Sequence, residues 1–108
     1  MVSVIISKAG TEYKQISLDG HAGFTESGEN IVCAAVSVLA INTFNSIEQF
    51  TDDAFAVDAS EDGGHMVMTF PEQLSDKSQL LLDSMLLGLD HIQRQYGDDY
   101  ISLEFKEV

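Results

Sequence analysis

The chain has 108 residues, 44% of them apolar, and carries five Lys and Arg against eighteen Asp and Glu, a formal net charge of −13. That length holds a single domain, residues 1–108, able to bury roughly two-thirds of its unfolded surface. So acidic a surface argues against nucleic acid or an anionic membrane as a direct partner and favours a basic one. One cysteine, Cys33, excludes a disulfide scaffold. With no basic and apolar leader and no stretch approaching a membrane span, the sequence predicts a soluble cytoplasmic protein.

Val2, Val4 and Ile6 alternate with Ser3 and Ser7, the period of a half-buried strand. Lys8-Ala9-Gly10 supplies a turn, and Tyr13 to Asp19 reads as the returning strand, with Ile16 and Leu18 on its apolar face. Gly20, Gly23 and Gly28 then fall among polar residues, which predicts a mobile loop. From Ile31 to Ile47 the chain is apolar and free of Gly and Pro, with Asn30 as an N-cap, so the first helix is expected there. Its apolar residues run nearly all the way round, and such a helix needs cover on more than one face. A sheet supplies one cover and a partner subunit is a candidate for the other.

Ala54 to Asp58 and His65 to Phe70 read as a second hairpin around Glu61-Asp62-Gly63-Gly64. A second long helix is expected from Leu74 or Ser75 to Tyr96, with Leu81, Met85, Leu89 and Ile92 as its stripe and Gly97 ending it. Ile101, Leu103 and Phe105 alternate with Ser102, Glu104 and Lys106 in a closing strand. The order β-β-α-β-β-α-β predicts an α+β fold: a two-layer α/β sandwich of two long helices on a mainly antiparallel sheet.

Cys33 is the first residue to weigh for chemistry. With Asn30 as cap it falls in the first helical turn, where unpaired amides and the helix dipole favour thiolate over thiol and can hold an oxyanion. Against this stands the plainer reading of Cys33 as a small apolar residue in a run of Ala and Val. His21, at the end of the second strand, can be brought near a helix N-terminus by the loop between them and take the thiol proton, although spacing alone is equally compatible with an ordinary loop histidine. Ser37, one turn after Cys33 on the same face, is placed to bond near the thiol or, as helix serines commonly do, to the preceding turn. His65 and His91 look unconnected to this pair. The three histidines and the cysteine lack zinc-ligand spacing, and no glycine-rich phosphate loop followed by lysine is present, so neither a metal nor a cofactor is expected.

Gly20-His21-Ala22, then Gly28-Glu29-Asn30 and Ile31-Val32-Cys33-Ala34-Ala35-Val36-Ser37, together resemble the ribosomal-processing cysteine protease family Prp. The similarity continues through Leu80 to Leu89 and Tyr96 and so covers nearly the whole chain. The resemblance implies a homodimeric bacterial cytosolic endopeptidase with a β-β-α-β-β-α core. Its catalytic dyad would be His21, as general base and acid, and Cys33, as nucleophile. It implies as substrate a basic protein, large-subunit ribosomal protein number twenty-seven, whose N-terminal extension is removed after an aromatic residue. It also makes the segment from Ala22 to Asn30, with Gly23 and Gly28, a flap over the peptide. The family carries Asp before the Ile-Val-Cys run; here Asn30 stands there, a supporting residue able to orient the histidine only as a neutral amide.

The reading favoured by these residues and this resemblance is a cysteine endopeptidase of ribosome maturation acting without a cofactor. Two others stay open: a non-catalytic acidic module that docks on a basic ribosomal or assembly protein, and a thiol-dependent enzyme acting on a small molecule.

Overall fold

The computed structural model describes residues 1–20, 27–60 and 64–108, with backbone alone at 27–30. The expected order is found: β1 (Val2–Ala9), β2 (Glu12–Asp19), α1 (Ser27–Phe50), β3 (Ala56–Ala59), β4 (His65–Thr69), α2 (Asp76–Tyr96) and β5 (Ile101–Glu107). The strands form one sheet in the order β3-β4-β2-β1-β5. Three of its four junctions are antiparallel, and β1 with β5 is parallel.

The alternation read in β1 puts Val2, Val4 and Ile6 on the buried face, opposite Leu18 and Ile16 of β2. A bulge between Ser7 and Lys8, where the pairing passes from Gln15 to Tyr13, reverses the parity of β2. Tyr13 thereby joins Ile16 and Leu18 on the face that the helices cover. Its hydroxyl donates to Asp83 of α2, and burial, then that bond, push the phenol well above its ordinary range. Lys8 Nζ lies 4.5 Å from the centre of the same ring.

Both helices lie on one face of the sheet. Val32, Val36, Ala40 and Ile47 of α1 and Leu82, Met85 and Leu89 of α2 enter the core with the strand residues. Gly88 admits Leu39 at the helix crossing, where an added β-carbon would meet Leu39 Cδ1 at 2.9 Å. Further along, Thr51 and Asp53, just past α1, bond to Ser78 in the first turn of α2. The end of α1 therefore meets the start of α2, and the helices run antiparallel. Ser75 caps α2, and Gly97, at φ 97°, ends it with its N–H on the Gln93 carbonyl. In α2, Leu82, Met85 and Leu89 are buried with Ser78, while Leu81 and Ile92 are only partly covered.

Three expectations need correction. The helix begins at Ser27, not after a cap at Asn30, and reaches Phe50. A single glycine costs about 1 kcal/mol in a helix, too little to stop one that the long apolar run beyond it stabilises. Asn30 and Gly28 are therefore helical, and only 22–26 of the expected flap is left, Gly23 among it, outside the described residues. Finally, Ile31–Phe50 is, by length and composition, apolar enough to cross a membrane, 20 residues with a mean hydropathy of 1.5, contrary to the expectation that no stretch approaches a span. In this fold its apolarity serves two faces: one packs on the sheet, and the other exposes Ile31, Val38 and Ile41.

Candidate active site

Cys33 is the seventh residue of α1 (27 to 33), two turns in, so its amide is not among the four unpaired donors of the helix start. This corrects the expectation of a first-turn thiol, since the dipole acts mainly within that turn. Cys33 is half-buried and packs against the core. Helical phase fixes its direction. Val32, Val36 and Ala40 face the sheet, and Leu39 faces Gly88 of α2. At 3.6 residues per turn, Cys33, Ser37 and Phe44 then occupy the flank turned away from α2. Ser37 is exposed there, one turn beyond the sulfur. In the same helix the Thr43 hydroxyl donates to the Leu39 carbonyl at 2.6 Å.

α2 runs on through Gly97 to β5, and the Val2 N–H donates to the Tyr100 carbonyl at 2.9 Å. The starts of β1 and β5 and the end of β2 thus lie where α2 finishes. Because the helices are antiparallel, the first half of α1, with Cys33, lies at that end too. His21 lies outside the described residues, but its predecessor is tightly held. The Gly20 N–H donates to the Gly64 carbonyl at 2.8 Å, and a β-carbon on Gly20 would come within 2.9 Å of both Met1 O and Val2 Cα. Only glycine fits, so the first residue of Gly-His-Ala carries a packing constraint as well as belonging to a motif.

The register of β4 on β2 sets His65 opposite Asp19, with Nδ1 3.7 Å from Oδ1. His65 thus borders the Gly20–Gly64 bond. No run of neighbouring residues announces that contact, because strand register creates it. His91 is exposed on α2. Among the described residues no three His, Cys, Asp or Glu gather as a metal site.

Among the described residues, the site amounts to a half-buried thiol two turns into α1 with an exposed serine one turn beyond it. Comparison with known proteins decides the family. The family model described as "Cysteine protease Prp" matches residues 1–102. This chain belongs to the Prp cysteine protease family. The Bacillus subtilis ribosomal processing cysteine protease Prp is 35% identical over 86 residues, 76% of this chain and 77% of that protein. Prp of Staphylococcus aureus is 30% identical over 105 residues, 97% of each chain. A crystal structure of the S. aureus enzyme, described as an essential ribosomal processing protease in complex with a covalently linked product peptide, superposes with a TM-score of 0.88 over 98% of this chain and all of that one. A second structure of it holds a substrate peptide. The Prp fold and membership among cysteine proteases, which are hydrolases, are thus shared by this chain.

Proposed function

We propose that this Prp-family member is a cytoplasmic, homodimeric endopeptidase that removes the N-terminal extension of large-subunit ribosomal protein number twenty-seven, using Cys33 and His21. The observation that carries the reading is the position of Cys33: the only thiol lies on the flank of α1 left open by α2, at the end of the sheet from which Gly20 leads into His21. In the reaction, His21 takes the Cys33 proton and the sulfur attacks the scissile carbonyl carbon. The tetrahedral oxyanion collapses, and the leaving amine takes the proton back from His21. Water, activated by His21, then adds to the thioester, which releases the carboxylate product and restores the thiol.

The net charge of −13 supports a basic substrate, whose approach it would steer. The exposed Ile31, Val38 and Ile41 on α1 and Leu80 and Leu87 on α2 support a second copy as the outer cover of the helix layer.

The test is mass spectrometry of a peptide spanning the extension, incubated with wild type, Cys33→Ala and His21→Ala. A single cut after the aromatic residue by wild type, lost in both variants, is expected. If wild type leaves the peptide intact and Cys33 resists alkylation at neutral pH, the acidic docking module replaces the protease.

A further inference from the structure

Strand β3 is the outer edge of the sheet, and all four of its residues, Ala56 to Ala59, are exposed. α2 packs on β5 at the far side, so α1 lies toward β4, and the flank of α1 that carries Cys33 and Ser37 overlooks the β4–β3 edge. The pairing fixes which backbone groups on that edge point outward. The Ser60 N–H donates to the His65 carbonyl, so alternate residues Asp58 and Ala56 turn their N–H and C=O toward β4. Val57 and Ala59 turn theirs away from the sheet. Their side chains lie on the helix side, Val57 opposite the buried Met68, while that of Asp58 lies on the open face.

We infer that the peptide substrate binds by adding as a sixth strand to the outer edge of β3, bonded to the N–H and C=O groups of Val57 and Ala59. The inference rests on the proposed protease function and deepens it. Because side chains alternate along a strand, substrate residues beside Val57 and Ala59 point to the helix side of the sheet, the side on which Cys33 lies, and are apolar or aromatic. Those beside Asp58 point to the open face and are basic. Charge complementarity selects this occupant: Asp58 on the strand and exposed Asp52 just before it favour a Lys- or Arg-bearing segment. The same Asp58 disfavours a second copy, since joining β3 to β3 gathers like charges. The opposite edge, β5, lies on the α2 side, away from the Cys33 flank.

Proline at an outward-facing edge position removes a donor without breaking the β4 ladder, so Val57→Pro and Ala59→Pro are the direct tests. Steady-state kinetics on the extension peptide should show KM raised about fivefold to tenfold in each variant, the scale of one hydrogen bond, with kcat within about twofold of wild type. Asp58→Lys should raise KM for the basic peptide and not for a neutral analogue. Wild type should lose affinity to the same extent for a peptide N-methylated at alternate residues, a readout that needs no variant to fold. Wild-type KM in all three variants and for the N-methylated peptide would overturn the edge-strand mode while cleavage itself stands. So would a change of oligomeric state in Asp58→Lys, which would assign the edge to a second copy. Absence of cleavage by wild type removes the protease function and this binding mode with it.

Discussion

Gly88 of α2 and Leu39 of α1 meet so closely that a β-carbon on Gly88 would stand 2.9 Å from Leu39 Cδ1. Gly20 shows the same 2.9 Å, but there the atoms met are Met1 O and Val2 Cα, which are backbone. The two glycines therefore predict opposite outcomes for one substitution. Leu39 can swing its methyl groups aside, and alanine gains about 1 kcal/mol of helix propensity over glycine. Gly88→Ala should stay within about 1 kcal/mol of wild type by urea denaturation, whereas Gly88→Leu should lose about 1–3 kcal/mol through overpacking.

Gly20→Ala has no such release. It must push the start of β1 away or break the Gly20 to Gly64 bond that anchors the approach to His21. A loss of about 1–3 kcal/mol is expected, together with a kcat decrease larger than that of Gly88→Ala. Equal stability and activity in the two alanine variants would remove the anchoring role.

Tyr13 and Asp83 join the sheet to α2 by one hydrogen bond. Tyr13→Phe keeps the ring packing and leaves Asp83, which is exposed, open to water. The expected cost is about 0.5–1.5 kcal/mol. Because burial and Asp83 raise the phenol's pKa in the folded state, the neutral form is favoured there. The contribution is complete below the unfolded value of about 10 and is lost as the pH rises above it. Urea midpoints measured through that range should fall faster for wild type than for Tyr13→Phe.

Asp53 accepts from the Ser75 amide at 3.0 Å, from the Ser75 hydroxyl at 2.6 Å and from the Ser78 hydroxyl. The Ser75 hydroxyl first, then Ser78, lower its pKa; burial opposes them, and the Ser75 amide adds to the lowering. The sign follows directly: the carboxylate stabilises the fold above the ordinary value of about 4, and that contribution is lost as pH falls through the lower folded value. The advantage of wild type over Asp53→Asn in thermal melts should be full at pH 6 and shrink below about pH 4. An advantage independent of pH would show that hydrogen-bond geometry, and not charge, matters there.

Val38 is 67% exposed at the middle of α1's outer stripe, and Leu80 is 70% exposed on α2. Val38→Asp should convert a dimer to a monomer in sedimentation or light scattering, with the far-ultraviolet spectrum unchanged. A monomeric wild type would remove the paired-helix interface.

The period-two residues of β1 and β5 and the capped, striped α2 were legible because each signal is local: Val2, Val4 and Ile6 alternate, and Ser75 and Gly97 bracket the helix. The start of α1 was not, because Asn30 is as good a cap in isolation as any residue nearby, while helix propagation through Gly28 depends on the whole apolar run. Tyr13 faces the core only through a backbone bulge, and His65 meets Asp19 only through the register of two strands separated by a helix. Neither relationship has a counterpart in neighbouring residues. The identities of Cys33 and Ser37 were plain from the motif, but the direction they face came from Leu39 and Gly88.

The parallel pairing of β1 with β5 aligns Val2 with Ile101 and Lys8 with Glu107, the first strand with the last. Contacts that far apart in the chain make folding slow, since the long loop must close before they contribute anything. During synthesis β1 stays half-paired until β5 has emerged, and the end of the sheet that holds Gly20 is completed last. A nascent chain therefore completes the sheet around Gly20 only after β5 has been made.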